Sequence, residues 1–149
     1  MNCPAAKSGT AAAGRVADFL DTNVWVYAHT SGANDVKSDA ARDLLGSVED
    51  PVISAQVLGE YSAVMIRNRL PDAQVLENLD EMAAMCRTMP VSEDTVRQAW
   101  RIRRRYGFSF WDSQMIASAL EAGCTQIYTE DLQSGQMIEG RLKILNPFG

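Results

Sequence analysis

Short apolar runs punctuate this chain at residues 16–20, 51–54, 89–91, 126–129 and 142–145, and the intervals between them read as helices rather than tight turns. Antiparallel neighbours can be joined by two-residue hairpins. Parallel neighbours need a crossover of a dozen residues or more, usually helical. The alternation therefore predicts an α/β fold in three layers, with a short central parallel sheet flanked by helices.

Punctuation residues set the expected helices. One is expected over 34–45 with Gly46 as its stop. The next runs over 55–69, capped by Ser54 and closed by Pro71. A third, over 72–87, carries Val75, Leu76, Leu79, Met82, Ala83 and Cys86 on one stripe. Ser92 opens a fourth that ends at Gly107, and 111–122 is the last, stopped by Gly123. Residues 1–15 are rich in Ala, Gly and Ser and lack the continuous apolar segment of a signal peptide, so they are expected to be a leader. Residues 16–149 then make a single domain, a normal size for one hydrophobic core.

Several function classes drop out. No apolar run approaches the length of a membrane span, and no glycine-rich phosphate loop is present. Cys3, Cys86 and Cys124 are odd in number and far apart, which suits reduced thiols in a cytoplasmic protein. The lone His29, expected on the surface or in a loop, cannot supply a paired-histidine mechanism. The formal charge of −5 also works against nucleic-acid binding by bulk charge.

Four carboxylates stand out by position. Asp21 directly follows the first strand, where ligands of open parallel sheets bind. Glu60 lies at the edge of the apolar stripe set by Val57, Tyr61 and Val64. Asp112 opens the last helix, and Asp131 follows the 126–129 strand. Singly, each has a plainer reading: a helix cap, a boundary glutamate reaching solvent, a first-turn acid, a polar turn. Gathered on one sheet edge they would repel one another unless a cation compensates. Oxygen-only ligation suits Mg²⁺ or Mn²⁺.

These positions fall in segments that together resemble a known family. FLDTNVWVYA at 19–28, Ile53 and Ser54 followed by Glu60, FWDS at 110–113 with Ile116, Ala117 and Ala119 behind it, YTEDL at 128–132 and ILNPF at 144–148 occur in the order seen in PIN domains. The compact size and the ending look most like the VapC toxins of bacterial toxin–antitoxin pairs. The resemblance implies a metal-dependent endoribonuclease with an RNA substrate, a cognate antitoxin partner and a homodimeric state. It implies an acidic pocket of Asp21, Glu60, Asp112 and Asp131. Asp21 and Asp112 would be direct metal ligands, and Asn23 and Thr129 would orient carboxylates or a substrate phosphate. Water activated by the metal would leave a 5′-phosphate and a 3′-hydroxyl.

Five arginines and no acid lie between Arg97 and Trp111. Arg97, Arg101, Arg104 and Arg105 share a third of the helix circumference and are candidates to follow RNA phosphates; a solvated face or a docking surface for an acidic partner is the alternative. Arg103 is expected to turn toward the body of the domain. Trp25 is expected to be exposed, and Phe110 and Trp111 to be core. Two rival functions remain open from the residues alone: a non-catalytic interaction module, and an aspartate-dependent phosphotransfer protein.

Overall fold

The computed structural model describes residues 15–30 and 35–149. The expected leader therefore lies, apart from Arg15, outside the described residues. The chain runs β1 (Ala17–Leu20), α1 (Thr22–His29), α2 (Asp35–Ser47), β2 (Asp50–Ser54), α3 (Ala55–Arg67), α4 (Asp72–Met85) and β3 (Arg87–Met89). It continues through α5 (Glu93–Tyr106), α6 (Phe110–Glu121), β4 (Gln126–Tyr128), β5 (Met137–Ile138) and β6 (Leu142–Leu145).

The strands form one sheet in the order β3-β2-β1-β4-β6-β5. Every pairing is parallel except the last, in which β5 runs antiparallel to β6. All four residues of β1 are buried, so helices cover both faces of the central strand. Phe19, Val52, Ile127 and Ile144 lie in register across four strands and are each buried. The chain leaves β1 toward β2 and β3, then crosses back to β4 on β1's other side. That reversal puts a topological switch point between β1 and β4, and Asp21 N donates to Tyr128 O there at 3.0 Å.

Local signals account for most boundaries. The Ser54 side chain accepts from Val57 N to cap α3. Ser92 and Thr95 close a reciprocal capping box on α5, and Ser109 accepts from Asp112 N to start α6. Gly107 ends α5 at φ 81°, a left-handed conformation that a side chain resists. Nothing lies within 4 Å of a Cβ placed there, so the cost of Gly107→Ala is conformational. It is expected to be about 1 kcal/mol by urea denaturation, with no loss of structure.

Several expectations are corrected. Gly46 lies inside α2, which runs on to Ser47. The helix expected over 72–87 stops at Met85, and β3 begins at Arg87 rather than at Met89. Arg87 is buried because its Nε donates to the buried Asp50 at 3.0 Å and its Nη2 donates to Ala122 O at 3.3 Å. Along α4 the buried positions are Val75, Asn78 and Met82, while Leu76 and Ala83 face solvent. Asn78 is tolerated inside because its Nδ2 donates to Tyr61 Oη at 2.9 Å.

Candidate active site

Asp21 sits at the carboxyl end of β1 and is the N-cap of α1, its side chain accepting from Thr22 N. The helix-cap reading of this carboxylate therefore holds, at the strand end where a ligand of such a sheet would bind. Its other oxygen accepts from Thr129 Oγ1 at 2.6 Å, just past the end of the neighbouring β4. Asp21 is 4% exposed. Burial is the main force raising its pKa from an ordinary 3.8 to about 7. The hydrogen bonds from Thr129 and Thr22 oppose that rise, and the Asp131 and Glu60 carboxylates add to it.

Glu60 comes from the middle of α3. Its Oε2 accepts from Thr22 Oγ1 at 2.9 Å and its Oε1 accepts from Gln56 Nε2 at 2.8 Å. Gln56 Nε2 also donates to Trp111 O at 3.0 Å, and Gln56 Oε1 accepts from Gln114 Nε2 at 2.8 Å. One amide therefore ties α3 to the start of α6. Asp131 follows β4, and its N–H donates to Thr129 Oγ1 at 3.2 Å. Burial, then the charges of Asp112, Glu130 and Glu60, push the Asp131 pKa up.

Asp21, Glu60 and Asp131 line one cleft of about 270 Å³, together with Thr22, Asn23 and Arg67. Asp112 does not line it, but it stands in the first turn of α6, near enough to Asp131 to repel its charge. Three of the four predicted acids thus share one cleft at the carboxyl edge of the sheet, and Asp112 stands outside its lining. Asn23 lines the cleft while its Nδ2 donates to Glu130 Oε1 at 3.1 Å. Glu130 also accepts from Tyr27 Oη at 2.7 Å and from Lys37 Nζ at 2.9 Å.

The donor set is carboxylate and hydroxyl oxygen, the chemistry of a hard divalent cation. Among the described residues, no three His, Cys, Asp or Glu side chains stand ready as a metal cage. A cation here would be held by one or two carboxylates and its own waters, as Mg²⁺ commonly is.

Thr22, Gln56, Arg67 and Glu130 escaped the sequence reading. Gln56, Glu60, Val64 and Arg67 follow helical spacing along one face of α3, so Gln56 and Arg67 were visible in principle. Thr22 depends on a contact between residues 38 apart, which no local pattern reports.

Away from the acids, the aromatic expectations reverse. Trp25 is 1% exposed and Trp111 is 61% exposed; Phe110 is half-buried. His29 ends α1 and packs on Tyr61, its Nδ1 lying 2.7 Å from the hydroxyl, rather than standing free on a loop. Arg103 is exposed, and its Nη1 donates to Phe108 O at 2.7 Å instead of turning inward. Arg97, Arg101 and Arg104 are exposed as expected; Arg97 meets Glu93 at 3.3 Å.

Thr129→Val removes the hydroxyl that steadies ionised Asp21. The Asp21 pKa should then rise above its starting value of about 7, as read by NMR titration of the carboxyl. An unchanged or lower value would contradict this account of the site.

The PIN domain family model matches residues 19–135. No curated protein sequence matches the chain. Among solved structures, the fold is similar to VapC20 of Mycobacterium tuberculosis, a sarcin–ricin loop cleaving toxin. That match has 23% identity and a TM-score of 0.64, and covers 76% of this chain and 91% of that one. It is also similar to a toxin–antitoxin complex from Klebsiella pneumoniae, at 14% identity and a TM-score of 0.67, covering 87% and 97%. VapBC2 from Rickettsia felis, bound to a promoter DNA fragment, matches at 17% identity and a TM-score of 0.62, covering 88% and 98%.

Proposed function

This chain belongs to the PIN domain family, and from that premise we propose that it is a metal-dependent endoribonuclease acting as the toxin of a toxin–antitoxin pair. The observation that carries the reading is the convergence of Asp21, Glu60 and Asp131 on one cleft, with Asp112 beside it. Crowding carboxylates at one cleft is unfavourable, and burial already pushes Asp21, the one buried member, up to about 7. A divalent cation offsets that repulsion. Asp21 and Asp112 would hold it, with Glu60 and Asp131 completing the pocket through water or a second ion. Bound Mg²⁺ or Mn²⁺ supplies a water of lowered pKa and neutralises charge on a phosphoryl oxygen.

The chain's own groups do the positioning. Thr129 and the Thr22 N–H fix the two oxygens of Asp21, while Thr22 and Gln56 fix those of Glu60. Asn23 and Lys37 hold Glu130, which precedes Asp131. With water rather than the ribose 2′-hydroxyl as nucleophile, the products are a 5′-phosphate and a 3′-hydroxyl. Arg97, Arg101 and Arg104 follow the RNA backbone by charge.

A cognate antitoxin as partner, a homodimeric state and a cytoplasmic location complete the proposal. Two of the solved structures similar to this chain are a toxin–antitoxin complex and VapBC2, which is consistent with such a partner. No helix among the described residues is long and apolar enough to cross a membrane. The phosphotransfer alternative is less well supported, since no lysine is among the described residues lining the cleft.

The test is cleavage of end-labelled single-stranded RNA with Mg²⁺, Mn²⁺ or chelator. Cleavage that needs metal and leaves 5′-phosphate ends is expected. Cleavage undiminished by chelator, or 2′,3′-cyclic phosphate products, would reject the mechanism.

A further inference from the structure

Arg97, Trp100, Arg101 and Arg104 follow the i, i+3, i+4, i+7 spacing of one face of α5. Trp100 on that face is 53% exposed, and Trp111 in the first turn of α6 is 61% exposed. Phe110 bridges them. Its ring centroid lies 5.6 Å from that of Trp100 and 5.1 Å from that of Trp111. Three aromatic rings therefore run from the basic face of α5 to the residue before Asp112. Gln56 Nε2 pins the near end, since it donates both to Trp111 O and to Glu60 Oε1.

We propose that this run is a stacking platform for unpaired bases of an RNA strand crossing the acidic cleft. The inference rests on the ribonuclease reading and adds to it the side chains that grip the strand. Trp111 takes a base beside the cut bond, Trp100 takes one farther along, and Arg101 and Arg104 accompany the phosphates. Every base offers a π-face, and arginine supplies charge and cation–π contact, the combination that holds single strands. Duplex bases are already stacked on one another and cannot reach such rings.

Charge complementarity fits RNA at this face and disfavours a second copy of this chain. Arg97 and Arg105 are engaged by Glu93 and Glu139. Arg101 and Arg104 form no ion pair among the described residues, which leaves their charge beside Trp100 in a protein of net charge −5. A two-fold contact between copies of this chain, centred here, would set those arginines against themselves.

The test uses the Asp21→Asn chain, so that RNA is not consumed, and a short oligoadenylate as probe, single-stranded or paired with oligouridylate. Trp25 is buried, so quenching by added RNA reports chiefly on Trp100 and Trp111. Saturable quenching by the single strand, and much less by the duplex, is expected. Trp100→Leu and Trp111→Leu should each weaken binding about tenfold. Trp111→Phe, which keeps a ring, should recover most of that loss. With Asp21 intact, the same Leu variants should raise KM more than they lower kcat.

Equal quenching by duplex, or Leu variants that bind like the parent, would overturn the platform. So would a dimer that Trp100→Leu converts to monomer, since that assigns the surface to a second copy. Cleavage that persists unchanged in both Leu variants removes the platform and leaves the nuclease reading standing. Ring-dependent binding without any metal-dependent cleavage removes the nuclease reading and leaves a single-strand binding surface.

Discussion

Asp21→Asn is expected to lower metal-dependent RNA cleavage by about a thousandfold while raising the melting temperature of the metal-free protein at pH 7.5. The first effect follows from the proposed role of Asp21, which lines the acidic cleft, in holding the cation with its charge. The second follows from the same charge. The Asp21 pKa rises from 3.8 to about 7 on folding. Between those values the folded chain keeps a proton that the unfolded chain has lost, so stability falls as pH rises through that window, and the loss is complete above about 7. Asparagine does not titrate and escapes the loss.

Asn also keeps the local structure. It is as good an N-cap as Asp, and its amide can donate to the Thr129 hydroxyl where the carboxylate accepted. Asp18, raised to about 6 chiefly by burial, declines in both proteins and cancels from the comparison. Melts at pH 5 and 7.5 in chelator, beside an RNA cleavage assay, read both effects. A variant that still cuts, or that melts lower than wild type at pH 7.5, would remove Asp21 from the role assigned to it.

Arg87→Met should cost about 3–5 kcal/mol, a large share of the stability of a domain this size. Arg87 and Asp50 are both buried and meet at 3.0 Å between β3 and β2. Removing the guanidinium leaves the Asp50 carboxylate without its cation, close to the buried Asp18 that already feels its charge. Adding Asp50→Asn to Arg87→Met should recover part of the loss, because the stranded charge goes with it. Urea denaturation of the single and double variants separates charge from packing. A single variant within 1 kcal/mol of wild type would mean that the pair contributes little.

Helices α3, α5 and α6 were legible because their ends are written locally, whereas α1 over Thr22–His29 was not among the expected helices. Ser54 and Ser92 precede helices they cap, and Gly107 supplies the left-handed stop. Asp21 and Asp131 were legible as carboxylates following strands. What stayed hidden was set by distant parts of the chain. The start of β3 depends on Asp50 receiving Arg87 from 37 residues away, so a charged residue looked like the end of a helix. β5 is two residues long and exists only through its pairing with β6. Trp25 and Trp111 were exchanged because a tryptophan's neighbours in sequence do not say which face is covered: α1 packs against both α2 and α3, whereas the first turn of α6 leaves Trp111 in the open.

The sheet also says how other chains can approach. It ends in β3, three residues long, on one side and in β5, two residues long, on the other. Edges this short offer few free amides and carbonyls, so neither invites an added strand. A protein partner that binds by lengthening a sheet would find almost no ladder to extend here. Among the described residues, recognition of this chain by a copy of itself or by an unrelated partner is therefore expected to use side chains rather than strand edges. Partner choice can then drift by surface substitution without disturbing the strands that carry the acids.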